Sequence, residues 1–198
     1  MKRWIVGVTG ASGIRYGLRV IEQLAQEIDE VHVVFSEAAI RVLHDEENLK
    51  VSATSLHSVI NTTGKARIVI HHARDIGASI ASGSLITEGM VIVPCSMATL
   101  GALAHGTAQN LVHRAAEVVL KEGRRLVIVP RETPLSTIHI ENMAILSRLG
   151  VRVVPAMPGF YHQPQSIEDL VNMMVMKILD QMDIHLDLVE RWKGKDPA

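Results

Sequence analysis

The chain has 198 residues, 47% of them hydrophobic, with a net charge of −1 and a single cysteine, Cys95. That length supports one well-buried core. The missing basic excess argues against nucleic acid or an anionic membrane surface as partner, and one cysteine excludes an internal disulfide framework and fits a reducing compartment.

Arg3 to Thr9 reads as a buried strand, and Gly10-Ala11-Ser12-Gly13 leads from it into a helix at 14–28. A second strand is expected at Val31–Phe35, a third at Ile68–Ile70, a fourth at Met90–Pro94, a fifth at Leu126–Pro130 and a sixth at Val151–Pro155. These runs are short, continuous and rich in β-branched residues, as parallel strands covered on both faces are. Helical patterns fall at 37–46, at 97–121 with a break near Gly106, at 137–149 and at 166–182. The alternation predicts a single-domain α/β fold over 1–198, doubly wound, with a mainly parallel sheet and helices on both faces. The stretches 44–66 and 184–198 are the least regular, and the second is expected to contact a neighbouring subunit. No apolar run reaches the ~18 residues of a membrane span, and the N-terminus lacks the pattern of a signal peptide. The expected location is the cytoplasm.

Three strand ends carry chemistry. At the first, small residues let the backbone approach an anion, and the N–H groups of the following helical turn hold it. The glycines, at 7, 10, 13 and 17, do not form the dinucleotide fingerprint, and the second strand ends in Phe35-Ser36 rather than in an acidic residue. A hydroxyl there suits a ribityl chain or a phosphate. Neither tyrosine has the lysine four residues on that a short-chain dehydrogenase needs. The fourth strand ends in Pro94-Cys95-Ser96-Met97-Ala98-Thr99, where Ser96 is a natural helix N-cap and nothing activates Cys95 as a nucleophile. The fifth ends in Pro130-Arg131-Glu132-Thr133-Pro134, a guanidinium for a phosphate or a ring carbonyl edge beside a carboxylate that can move a proton. Lys121 and Arg114 lie on one helix face, and Tyr161 sits in a proline-braced loop. The ten histidines show no metal-binding spacing, and no G-x-S-x-G is present.

Together, Thr9-Gly10-Ala11-Ser12-Gly13, Pro94-Cys95-Ser96-Met97, Asn110-Leu111 through Arg114-Ala115-Ala116, Leu120-Lys121-Glu122, Pro130-Arg131-Glu132-Thr133-Pro134, His139-Ile140-Glu141-Asn142-Met143 and Gly159-Phe160-Tyr161-His162 resemble the UbiX-type flavin prenyltransferases. The likeness runs from residue 4 to about 192. It implies a Rossmann-like or flavodoxin-like subunit that joins a dimethylallyl group from dimethylallyl phosphate to nitrogen-5 and carbon-6 of reduced FMN. The product, prenylated FMN, would pass to UbiD-type decarboxylases. No metal would be needed, and the assembly would be a homo-oligomer, a dodecamer with sites where subunits meet.

Carried over by position, the resemblance implies that Gly10, Ala11, Ser12, Ser36, Ser96, Met97, Ala98, Thr99 and Arg131 hold FMN. It implies that Lys121, Arg131, Tyr161 and Lys177 surround the allylic phosphate, with Arg114 in support. Glu46 and Glu132 match acidic positions for phosphate-site organisation and proton handling. Ser82 matches a serine near the isoprenoid pocket, and Trp192 a tryptophan of the tail. Lys177 stands where some relatives have arginine, which changes a bidentate fork into a point charge. Two other readings are a flavin-dependent cysteine decarboxylase, whose Pro-x-Met-Asn-x-x-Met segment is absent, and a non-catalytic flavin carrier.

Overall fold

The computed structural model describes residues 1–49, 55–60, 63–192 and 194. The strands are β1 (Arg3–Val8), β2 (Glu30–Phe35), β3 (Arg67–His71), β4 (Gly89–Cys95), β5 (Arg125–Pro130) and β6 (Arg152–Val153). The helices are α1 (Ile14–Glu27), α2 (Glu37–Glu47), α3 (Met97–His105), α4 (Leu111–Lys121), α5 (Thr137–Arg148) and α6 (Ile167–Gln181). The strands form one sheet in the order β3-β2-β1-β4-β5-β6, and every pairing is parallel. The chain winds outward from β1 to β3, then crosses to β4 and winds outward the other way. The reversal leaves a crevice beyond the carboxyl ends of β1 and β4, where ligands of such folds bind.

The period-two geometry of a strand sorts its side chains between two cores. Trp4, Val6, Val8, Val91, Val93, Val127 and Val129 pack with Val20, Ile21 and Leu24 of α1 and Val175, Ile178 and Leu179 of α6. Ile5, Met90, Ile92, Leu126 and Ile128 pack on the other face with Leu100 of α3, Val112, Ala115 and Val119 of α4 and Leu146 of α5. Both faces of the central strands are covered, which is why they read as continuous apolar runs.

Element ends differ from expectation for local reasons. The sixth strand is paired only at Arg152–Val153. Val154 N and Ala156 N still donate to Ile128 O and Pro130 O, so hydrogen bonding to β5 runs on past the paired residues. The expected helix 97–121 is two helices. Gly106, with φ +63°, ends α3, and the Asn110 side chain accepts from His113 N at 3.0 Å to start α4. In the stretch 44–66, α2 runs to Glu47 and a 3-10 turn lies at Leu56–Ser58, while 50–54 and 61–62 fall outside the described residues. The part of the tail at 184–192 lies back on its own chain, with Ile184, Leu186 and Leu188 against the α1/α6 core. Residues 193 and 195–198 of that tail are likewise outside the described residues.

A part-buried polar chain crosses the sheet edge, unforeseen from the sequence. Arg3 Nε lies 3.3 Å from Glu30 Oε2, Glu30 Oε1 lies 3.0 Å from His32 Nε2, and His32 Nδ1 lies 2.8 Å from His71 Nε2. Burial first, and then the adjacent His71, lowers the pKa of His32; burial also lowers those of His71 and His113. These rings fold neutral, so their contribution is intact above the ordinary imidazole value of about 6.5 and is lost as pH falls through their lowered folded values. The urea midpoint should therefore drop between pH 7.5 and pH 5.5. A flat or rising midpoint across that interval would contradict this assignment.

Candidate active site

The crevice is organised by Thr9. Its Oγ1 donates to Pro94 O at 2.8 Å and accepts from Ser96 N at 2.8 Å, and its own N–H donates to Pro94 O at 3.2 Å. Thr9 is buried, and it ties the end of β1 to the end of β4. A Cβ on Gly10 would stand 2.3 Å from Ala38 Cβ, so the loop approaches α2 more closely than any side chain permits. Gly13, with φ +93°, supplies the N-cap of α1 without a side-chain cap. Glu46 Oε2 fills part of that role, accepting from Gly13 N at 2.9 Å and Ile14 N at 3.4 Å. A carboxylate on these donors shows that they favour negative charge. Ala11 is buried, and Ser12 projects into solvent.

Ser36 and Ser96 are both helix caps. Ser36 Oγ accepts from Ala39 N at 3.1 Å, and Ser96 Oγ accepts from Thr99 N at 3.3 Å. Thr99 is buried and lies 3.2 Å from His113 Nε2 through its hydroxyl. Gln109 N donates to His113 Nδ1 at 3.3 Å, which leaves Nε2 as the protonated nitrogen facing Thr99. Thr9 headed a segment singled out in the sequence but not as the tie between β1 and β4, and His113 did not stand out, since a lone histidine in a helix has no distinctive spacing. Met97 is half-buried and Ala98 exposed at the mouth of the crevice.

At the neighbouring strand end, Arg131 N donates to Cys95 O at 3.3 Å. Arg131 Nε is buried and has no hydrogen-bond partner. Glu132 Oε1 accepts from Thr133 N at 2.9 Å. A buried guanidinium nitrogen without a partner, α1 N–H groups that already hold a carboxylate and small residues along the crevice together fit a phosphorylated ligand with a flat ring system.

Two further groups of expected site residues lie elsewhere. Tyr161, Lys177 and Trp192 come together, with Arg191, around a cavity of about 540 Å³. The Tyr161 and Trp192 rings meet edge-on at 6.2 Å. Arg191 was missed, although Asp187 four residues earlier is a pairing signal. Lys121 ends α4, where it pairs with Glu122, and Arg114 Nη1 lies 3.6 Å from Glu117 Oε2 on the same exposed face. Ser82 Oγ accepts from Ser84 N at 3.3 Å in the loop that Arg124 clamps through Gly83 O and Leu85 O. That loop and Lys121 sit at the amino ends of the strands, a strand length of roughly 20 Å from the crevice. Among the described residues, neither group shares a hydrogen bond or ion pair with the crevice. A larger cavity, about 720 Å³, also opens at the amino ends, beside Lys2, Trp4, Arg124, Arg125 and Arg152, and contains none of the expected site residues.

A sequence model of the Flavoprotein family matches residues 1–179. Flavin prenyltransferase LpdB of Lactiplantibacillus plantarum is 49% identical over 195 residues, covering 98% of this chain and 100% of its own. The chain belongs to the UbiX-type flavin prenyltransferases. A dodecameric FMN-dependent UbiX-like decarboxylase from Escherichia coli O157:H7 superposes with a TM-score of 0.87 at 43% identity, over 97% of this chain and 100% of that one. AnUbiX (PadA1), solved with FMN and dimethylallyl pyrophosphate, superposes with a TM-score of 0.88 at 37% identity, over 98% and 99%. Solved cysteine decarboxylases reach 14% and 18% identity, with TM-scores of 0.60 and 0.57, and share the fold alone.

Cys95 lies at the crevice wall without chemistry of its own. It is buried, and burial pushes its thiol up to about 12. In native protein the single thiol should resist a disulfide reagent at pH 8 and react in full only after unfolding. Fast stoichiometric reaction of the native protein would contradict its place in the core.

Proposed function

We propose that this chain transfers a dimethylallyl group from dimethylallyl phosphate to nitrogen-5 and carbon-6 of reduced FMN, releasing phosphate and prenylated FMN. The observation that carries this reading is the second cavity. Tyr161, Lys177 and Trp192 combine a hydroxyl, a cation and an aromatic wall around one space, separate from the crevice. A flavin carrier needs no such second site. A cysteine decarboxylase of this fold is disfavoured because the comparable segment, Pro94-Cys95-Ser96-Met97-Ala98-Thr99, lacks the asparagine of Pro-x-Met-Asn-x-x-Met.

In this reading Gly10, Ala11, Ser12, Ser36, Ser96, Met97, Ala98 and Thr99 hold FMN in the crevice, and Arg131 supplies its unmet Nε beside the ring. Bound and reduced, FMN supplies the nucleophilic nitrogen and carbon. The chain's residues serve the other half of the reaction. Breaking the allylic C–O bond moves charge onto the phosphate oxygens, where Lys121, Lys177, Arg131 and the Tyr161 hydroxyl, fixed beforehand, lower the barrier. Arg114 adds positive charge along the α4 face, and Glu46 orders the α1 donors. Ser82, in the loop that lies against Glu122 at Gly83, faces the isoprenoid chain. Glu132, half-buried with one oxygen held by Thr133 N, takes the proton that the flavin gives up.

Because Lys121 and the crevice stand at opposite ends of one sheet, a complete site requires more than one copy. A homo-oligomer, a dodecamer by analogy with the E. coli relative, supplies it. No described helix is long and apolar enough to cross a membrane. We place the protein in the cytoplasm, handing prenylated FMN to a UbiD-type decarboxylase.

Anaerobic incubation with reduced FMN and dimethylallyl phosphate should yield a flavin heavier by one prenyl group. Glu132→Gln should cut that turnover by about 10²-fold or more while FMN still binds. Unmodified FMN recovered from a protein that binds it would overturn the assignment.

A further inference from the structure

Arg191 is the most heavily engaged side chain of the tail. Its Nη1 and Nη2 donate to Asp180 Oδ2 and Oδ1 at 2.8 and 2.9 Å, a bidentate fork. Nε donates to Asp187 Oδ1 at 2.6 Å, and Nη2 also reaches Leu186 O at 2.9 Å. Asp180 belongs to the last turn of α6, three residues after Lys177, so the two share a helix face. Trp192 follows Arg191 directly. It is 63% exposed, and among the described residues its edge-on meeting with Tyr161 is its one contact with another ring. A single contact between exposed rings is too weak to offset the entropy of ordering a chain end. The fork anchored in α6 does that ordering.

We propose that Asp180 and Arg191 are positioning residues for the prenyl-donor cavity: their bidentate pair pins the tail so that Trp192 forms the wall opposite Tyr161 and Lys177. The proposal rests on the prenyltransferase reading for what enters the cavity. All three guanidinium nitrogens are engaged within the chain, so Arg191 shapes the cavity without serving as a direct ligand for the donor phosphate. The carboxylate of Asp180 has two further neighbours, His185 Nδ1 at 3.1 Å and the charge of Lys177. It therefore joins the tail to the helix that carries the cavity's cation. An isolated surface ion pair would hold little. This one has fork geometry, a second carboxylate and a backbone carbonyl.

The test uses the full chain, with Asp180→Asn, Arg191→Gln, Arg191→Lys, Trp192→Ala and the Asp180→Asn/Trp192→Ala double variant. The chain has two tryptophans, and Trp4 is only 3% exposed, so acrylamide quenching reports Trp192. Asp180→Asn and Arg191→Gln should raise the quenching constant of Trp192. They should also raise KM for dimethylallyl phosphate by about 10-fold, with kcat within about 2-fold and FMN affinity unchanged. Arg191→Lys, which keeps the charge and loses the fork, should fall between. In the double variant, Asp180→Asn should add nothing to the KM effect of Trp192→Ala. Unchanged quenching, additive KM effects, or a loss of FMN affinity and melting temperature in step with KM would each overturn the proposal. If the unaltered protein fails to prenylate FMN, the functional reading falls, and the quenching series still decides whether the pair pins Trp192.

Discussion

The hydroxyl of Thr9 holds the crevice in shape. It joins Pro94 O to Ser96 N across the point where the strand order reverses. Buried and satisfied on both sides, it fixes the spacing between the Gly10–Gly13 loop and the start of α3. Without it, Ser96 N at the crevice floor would lose its partner, at a cost of about 1–3 kcal/mol if left buried and unmet, while Pro94 O would keep only the Thr9 N–H. The close approach of Gly10 to Ala38 and the link from Arg131 N to Cys95 O lie on either side of that tie, with the local caps Ser36 and Ser96 opening α2 and α3 beside it.

The same topology separates the charged residues of the chain into distant groups. In a doubly wound sheet each helix returns the chain to the amino end of the next strand, so a cation ending α4 arrives at the far side of the sheet from the crevice. Lys121 is placed there by the connectivity itself. The tail brings Tyr161, Lys177 and Trp192 together at the sheet edge by a different route, through the turn after β6 and the fork at Arg191. A single copy thus holds the crevice, the cavity beside Tyr161, Lys177 and Trp192 and a cationic helix face in three places. The exposed apolar residues Ile138 and Ile140 on α5 and Phe160 in the loop before Tyr161 are consistent with packing between copies.

Much of this was legible in the sequence because the signals were local. Strands and helices announced themselves by continuous β-branched runs and by caps, and the three strand ends by glycine, hydroxyl and Pro-Arg-Glu-Thr-Pro chemistry. Partners distant in the chain were hidden. His32 and His71 meet only because β2 and β3 pair, His113 meets Thr99 only through the turn at Gly106–Asn110, and Glu46 reaches Gly13 only because α2 folds over the loop. The resemblance named Lys121 and Arg131 together, and their separation in one chain became apparent only from the topology.

The most direct measurement is therefore complementation between copies. Lys121→Ala and Arg131→Ala chains would be prepared separately, then co-assembled in equal amounts and assayed for prenylation of reduced FMN. Sites shared between copies predict that each variant alone is inactive and that the mixture recovers about a quarter of the unaltered turnover, from sites that draw both intact residues from different copies. A mixture no more active than its components would contradict a site built between copies, and so would a Lys121→Ala assembly with full activity.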